Sequence, residues 1–205
     1  MIVSKTRGGP VSLPLPLGVD VVTITHLTTT ELEAGLDHIR KAPKDGGSLD
    51  LIVRRPAVGA RELLDVAELD TANGLTGDTW IMRSSTRTPD GSRHPDMQLN
   101  IMSARAVALL AQVRERWALA GDQLYIDMDL SEDNLPPWTK LRLGTAIIEV
   151  TDQPHTGCGK FAERFGVDAM KFVNSSTGRS LRLRGLNARV VQPGTVRVGD
   201  AVAKL

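Results

Sequence analysis

Cys158 is the only cysteine in the chain, and it sits in a setting built for contact: His155-Thr156-Gly157-Cys158-Gly159-Lys160. A strand-like run, Ala146–Val150, leads into this turn through Pro154, and a helical pattern follows it. The thiol therefore falls at or just before a helix start, where the helix dipole favours thiolate. Glycines on both sides let backbone and ligand approach closely. His155, three residues earlier, is placed for a thiolate–imidazolium pair, a shared ligand site, or a plain backbone hydrogen bond. A lone cysteine also suits a buried apolar position, and packing against Phe161 and Phe165 would make this one inert. The sequence leaves both readings open.

Phe161, Phe165, Ala169 and Phe172 recur at helical spacing, which predicts one inward-facing helix after the thiol. From Lys160 to Arg197 there are eight basic residues against Glu163 and Asp168. That excess points to an anionic small-molecule ligand, or else to a solvated basic face. With three Trp, three Phe and one Tyr in the whole chain, there is no stacking platform for single-stranded nucleic acid. Asp78, following Gly77, and Asn134 lie in turn-like settings and read as turn stabilisers. The acids Asp127, Asp129, Glu132 and Asp133 lack calcium-loop spacing and read as a solvated rim.

The elements that must position these groups are mostly short strands. Residues 1–47 read as a loose proline-rich arm, a short strand at Val21–Thr25, and a helix opened by a Thr30/Glu33 capping box. From Ser48 onward the candidate strands are Ser48–Arg54, Arg61–Asp70, Thr79–Arg83, Met97–Met102, Gln123–Asp129, Thr139–Leu143, Thr145–Val150, Leu186–Gln192 and Thr195–Ala203. Leu186, Ala188 and Val190 face one way, with Asn187 and Arg189 the other. A single clear helix, Ser103–Arg116, interrupts the series with Ser103 as its cap. Many short strands with few crossover helices predict a mostly β barrel over residues 48–205, with a few peripheral helices. One cysteine fits a reducing compartment, no run is apolar enough to cross a bilayer, and the arm is a poor secretory signal, so the expected location is cytoplasmic.

In order along the chain, Gly74-Leu75-Thr76-Gly77-Asp78, the His94 loop Ser92–Leu99, Ser131-Glu132-Asp133-Asn134-Leu135, Leu143–Ala146, Glu149–Cys158 and Arg184–Asp200 resemble the successive motifs of the MOSC domain, the module at the C-terminus of molybdenum cofactor sulfurases. The resemblance implies a MOSC-type β-barrel, and a molybdopterin-type cofactor or sulfur-handling role with Cys158 as sulfur carrier or metal ligand. A thiolate suits both tasks, as nucleophile and as soft ligand. It also implies cofactor contacts from His94, His155, Arg182, Arg184, Asn187 and Arg189, the arginines because a planar fork can hold two phosphate oxygens. A sulfur donor protein is an implied partner; nucleic acid and membrane are not. Here the family's signature glycine is replaced by Ser131, the segment after Leu135 is short, and the His94 loop lacks the usual glycines. The chain has no room for a pyridoxal-phosphate sulfurase domain, and residues 1–47 are too short for the extra domain of MOSC-containing amidoxime reductases. The short head counts against reduction of N-hydroxylated compounds, and the altered loops count toward a non-catalytic ligand- or partner-binding barrel; both stay as alternatives.

Overall fold

The computed structural model describes residues 24–205. Seven strands close into a barrel in the order β1 (Gly47–Arg54), β6 (Leu124–Asp127), β5 (Leu99–Ser103), β9 (Leu186–Gln192), β8 (Ala146–Val150), β7 (Lys140–Leu143) and β11 (Ala201–Lys204), which pairs back to β1. All neighbours are antiparallel except β5 and β6, whose parallel pairing requires the helical crossover between them. β2 (Glu62–Leu64) continues the sheet beyond β1, while β3 (Val66–Asp70), β4 (Gly74–Leu75) and β10 (Gly194–Arg197) form a small second sheet.

Two apolar clusters explain this arrangement. Leu49, Ile52, Leu99, Ile101, Leu124, Ile126, Leu141, Ile148, Leu186 and Val202 fill the barrel. Leu51, Val53, Met102 and Tyr125 face outward from the same strands and are covered by helices. β1 serves both clusters because its register shifts between Leu49 and Leu51, so inward positions change from odd to even numbers. The covering layer is α1 (Thr29–Ala34), α2 (Leu36–Arg40), α3 (Ala104–Ala111), α4 (Gly159–Phe165) and α5 (Val167–Asn174), with the short α6 (Ser176–Ser180) following. Leu32 and Ile39 belong to this cluster, so the helical part of the N-terminal segment packs on the barrel.

The mostly β barrel with peripheral helices is as expected, but several element boundaries differ. Thr79–Met82 is a 3-10 turn rather than a strand, because the Asp78 carboxylate accepts from Trp80 N–H and starts a helical turn. The expected Arg61–Asp70 strand is interrupted at Asp65, and the last expected strand is divided by the Val198-Gly199-Asp200 turn, with Gly199 at φ 92°. The helix after Ser103 stops at Ala111, where Gln112 turns left-handed at φ 64°, and a 3-10 segment, Arg114–Ala120, carries Trp117 into the core. The capping box is Thr28/Glu31, not Thr30/Glu33. The Phe161–Phe172 stripe is broken at Gly166, φ 96°, into α4 and α5, yet Phe161, Phe165, Ala169 and Phe172 all stay buried. Of the expected Val21–Thr25 strand, residues 21–23 lie outside the described residues, and Ile24 and Thr25 are in no strand.

Candidate functional site

The loop 151–158, between β8 and α4, is tied down at three places. Thr151 N–H donates to the Asn187 carbonyl at 3.0 Å, and the Thr151 hydroxyl donates to the Asp96 carbonyl at 2.7 Å. Asn187, fully buried on β9, donates Nδ2–H to the Gln153 carbonyl at 3.1 Å. At the far end, Asn174 clamps Gly157 twice: Gly157 N–H donates to its Oδ1 at 2.9 Å, and its Nδ2–H donates to the Gly157 carbonyl at 3.0 Å. A Cβ at Gly157 would crowd the Val173 side chain, standing 3.0 Å from it. Gly159 faces open space. Between these anchors and α4, Cys158 is exposed at the N-cap position and makes no capping bond. Replacing Asn174 by alanine removes both clamps from a partly exposed loop. The expected cost is about 1–2 kcal/mol, with faster hydrogen exchange at the Gly157 amide; unchanged exchange there would contradict the clamp.

Behind the loop lies a buried charge centre. Asp122 is fully buried; it accepts Arg184 Nη1–H on both oxygens at 2.9 and 2.7 Å and His155 Nε2 at 2.8 Å. Arg184 also donates to the Ala120 carbonyl at 2.9 Å, and its guanidinium lies 5.0 Å from the Phe161 ring centre. Burial opposes ionisation of Asp122, but the opposing charge of Arg184 and the bonds from Arg184 and His155 outweigh it and hold the carboxyl at about 2. For His155, burial and the nearby Arg184 charge outweigh the attraction of Asp122 and push the imidazole below its ordinary value.

Two clefts open on this wall, and both are lined by His155 and Arg184. One, of about 640 Å³, lies toward Glu132, Asp152, Arg179 and Arg182. The other, of about 610 Å³, holds Cys158, with Arg55, Arg61, Arg83, Lys160 and Arg164. Both are ligand-sized. In the second, Arg55 is neutralised by Asp78 through two bonds of 2.8 Å. Arg61, Arg83, Lys160 and Arg164 form no ion pair among the described residues. Arg61 is held below the ordinary arginine value by burial and then by repulsion from Arg164 and Arg55; Arg83 is lowered by burial and by Arg55. Gly121, which the chain needs for its φ of 92°, lies beside these cations: the position of its Cβ would be in ordinary contact with Arg61 Nη2 at 3.6 Å and Arg164 Nη1 at 3.7 Å. Like charges gathered in one cleft form a cradle for an anion.

The sequence-predicted residues separate cleanly by location. Cys158, His155 and Arg184 share the second cleft, while Arg182 lines only the first, with the left-handed φ of 46°. Asn187 is one step behind: it accepts from Asn100 Nδ2 at 2.6 Å, and Asn100 Oδ1 accepts from Arg55 at 3.0 Å, so it links the loop to the cradle. Arg189 lines neither cleft; it pairs with Glu149 at 2.6 Å and Asp96 at 3.0 Å. His94 also lines neither, its Nδ1 accepting from Asp96 N–H at 3.2 Å. Asp78 and Asn134 hold backbone, as their turn settings suggest. Among the described residues no three His, Cys, Asp or Glu side chains are grouped to hold a metal ion. Asp122, Arg55, Arg61 and Arg83 were not singled out from the sequence; the tandem Arg54-Arg55 and the Gly121-Asp122 turn are the only local signals they carry.

The sequence pattern of the MOSC domain matches residues 88–203, more than half of the chain. The chain belongs to the MOSC domain family. Within the match lie Cys158, His155, Asp122, Arg164 and Arg184; the MOSC pattern stops short of Arg55, Arg61 and Arg83. The fold is similar to that of the YuaD protein from Bacillus subtilis, at 18% identity and a TM-score of 0.55, covering 77% of this chain and 94% of that one. A hypothetical protein of known structure is 23% identical, with a TM-score of 0.51 and coverage of 78% and 69%. YiiM from Escherichia coli is 22% identical, with a TM-score of 0.49 and coverage of 77% and 69%. No curated protein sequence matches this MOSC protein. No helix of the described residues is long and apolar enough to cross a membrane.

Proposed function

We propose that this MOSC protein binds a molybdopterin-type anion in the Cys158 cleft and takes up sulfur on Cys158. The observation that carries the reading is the placement of an exposed thiol beside four cations that have no acidic partner among the described residues. The donor set fits such a cofactor. One thiol gives a single soft ligand, which suits a metal that arrives with its other ligands already attached, and the guanidinium groups of Arg61 and Arg164, which come together beside Gly121, suit a phosphate. When bound, the cofactor supplies a redox-active metal with sulfur ligands. Arg61, Arg83, Arg164 and Lys160 hold the anion, with Cys158 facing it from the loop. Loop 151–158 keeps the thiol in place through the Asn174 and Asn187 bonds.

Sulfur uptake needs no further cofactor. Sγ of Cys158 attacks the terminal sulfur of a persulfide donor, the donor's S–S bond breaks, and its electron pair leaves on the donor sulfur. The donor is a small persulfide or the persulfide of a sulfur donor protein, and the reaction belongs to the reducing conditions expected of the cytoplasm.

The anion half is tested by titration calorimetry with inorganic pyrophosphate at low and high salt. Wild type should bind, and Arg61→Ser should bind about tenfold more weakly, the value of one charge-assisted hydrogen bond. Arg142→Ser, which removes an exposed cation lining neither cleft, should bind as wild type does. Equal affinity in all three proteins would overturn the cradle.

A further inference from the structure

The two most exposed large apolar side chains among the described residues are Val58, at 98%, and Met82, at 75%, and both line the Cys158 cleft. Val58 stands on a turn closed by Ala60 N–H, which donates to the Ala57 carbonyl at 3.1 Å. Gly59 takes its φ of 85° in that turn with open space around it. Met82 ends the 3-10 turn that Asp78 starts, next to Arg83. The two side chains come from separate loops, and water surrounds most of each, which singles out this lip from the rest of the surface. The same cleft holds the four cradle cations, with Glu163 as the one carboxylate in its lining. Its mouth therefore combines apolar side chains, cations and an exposed thiol. Val58 and Met82 precede the matched MOSC pattern, which begins at residue 88, so the lip is built by a part of the chain outside that pattern.

We propose that the mouth of the Cys158 cleft docks an acidic protein segment that also carries aliphatic side chains, with Val58 and Met82 as its apolar anchors. The proposal rests on the reading that Cys158 takes up sulfur, and it names the donor as a protein whose persulfide lies beside that segment. Charge and exposure select this occupant. Four cations without acidic partners among the described residues call for acids, and their attraction speeds the encounter. A small anion held inside the cleft leaves Val58 in water, whereas a chain segment that crosses the lip covers it. Methionine offers adaptable contact surface of the kind enriched at protein interfaces. Arg61 and Arg164 are half-buried, so an acidic side chain reaches them where a flat bilayer does not. Gly159, facing open space beside the thiol, leaves room for the donor's sulfur.

The test is fluorescence anisotropy of a labelled synthetic peptide that sets acidic residues around a pair of leucines. Wild type should bind it, with affinity that falls as salt rises. The double substitution Val58→Ser and Met82→Ser should weaken binding about tenfold, the value of covering part of two such side chains. Its salt dependence should be unchanged, because no charge is lost. Both positions are exposed, so the variant keeps its fold, and its affinity for pyrophosphate should equal that of wild type. A peptide with serine in place of both leucines should bind wild type and variant alike. No binding of the leucine peptide to wild type, or equal binding to both proteins, overturns the proposal. So does an oligothymidine of equal charge that binds as tightly as the peptide, since that would mark a general polyanion surface. Vesicles of phosphatidylcholine and phosphatidylserine that retain wild type but not the variant would overturn it in favour of a lipid surface. Peptide binding as expected with no sulfur loading on Cys158 would instead remove the proposed function and leave the docking surface standing. Loading and pyrophosphate binding without peptide binding would remove the docking surface alone.

Discussion

Arg184→Met should lower the stability of the folded protein by about 3–5 kcal/mol, the usual cost of removing one partner from a buried ion pair. The loss comes from what stays behind. Methionine fills much of the arginine stem's space against Phe161, but Asp122 remains fully buried with His155 as its one remaining side-chain donor. The Ala120 carbonyl also loses its 2.9 Å bond. Chemical denaturation of the two proteins at neutral pH measures the difference, and a cost under about 1 kcal/mol would mean that the pair contributes little. The pH dependence carries a sign as well. In wild type the Asp122 carboxyl lies at about 2, below its ordinary value of 3.8, so its contribution is present above 3.8 and is lost as the pH falls toward 2. That shift corresponds to about 2 kcal/mol. The lowered His155 acts in the same direction: the unfolded chain binds its proton first, so stability starts to decline as the pH falls through the ordinary imidazole range. Without Arg184, His155 meets Asp122 with less repulsion and protonates more readily. The variant should then recover part of its deficit on mild acidification, while wild type loses stability over the same interval.

How much of this was legible in the chain depends on the range of the interaction. Barrel strands are local patterns: Leu186, Ala188 and Val190 alternate inward on β9 just as their spacing suggests. The loop that bears Cys158 and the helix after it are also local, and were readable. The break at Gly166 was not, because the apolar stripe continues across it and only the φ of 96° distinguishes two helices from one. Asp122 was invisible for a different reason. It has no motif of its own, and its partners Arg184 and His155 are 62 and 33 residues away. The cradle depends on the same kind of closure, since Arg61 and Arg164 converge over Gly121 from opposite thirds of the chain. Charge counting along residues 160–197 marked a basic region correctly but could not tell spent cations from available ones. Arg189 is spent on Glu149 and Asp96, and Arg184 on Asp122, whereas Arg164 donates only to the Leu119 carbonyl.

Incubation with a small-molecule persulfide should add the mass of one sulfur atom to the wild-type protein and nothing to Cys158→Ser. The chain has no other cysteine, so the intact mass assigns the sulfur without further mapping. Two opposing influences were set out from the sequence, activation by neighbouring charge and inactivation by packing on Phe161 and Phe165. The structure places those rings in the core and the thiol outside it, so the attacking sulfur is accessible. The cations around it favour the persulfide anion once formed, by attraction that salt should weaken. Loading should therefore slow at high ionic strength, and slow again in Arg164→Ser, which removes one cradle cation whose main bond is to the Leu119 carbonyl at 2.7 Å. The added sulfur should be removed by excess small thiol, because a carrier has to release as well as accept. Rapid alkylation of Cys158 with no sulfur loading from any persulfide donor would reject sulfur carriage, and the exposed thiol would then act as a ligand to whatever the cradle holds.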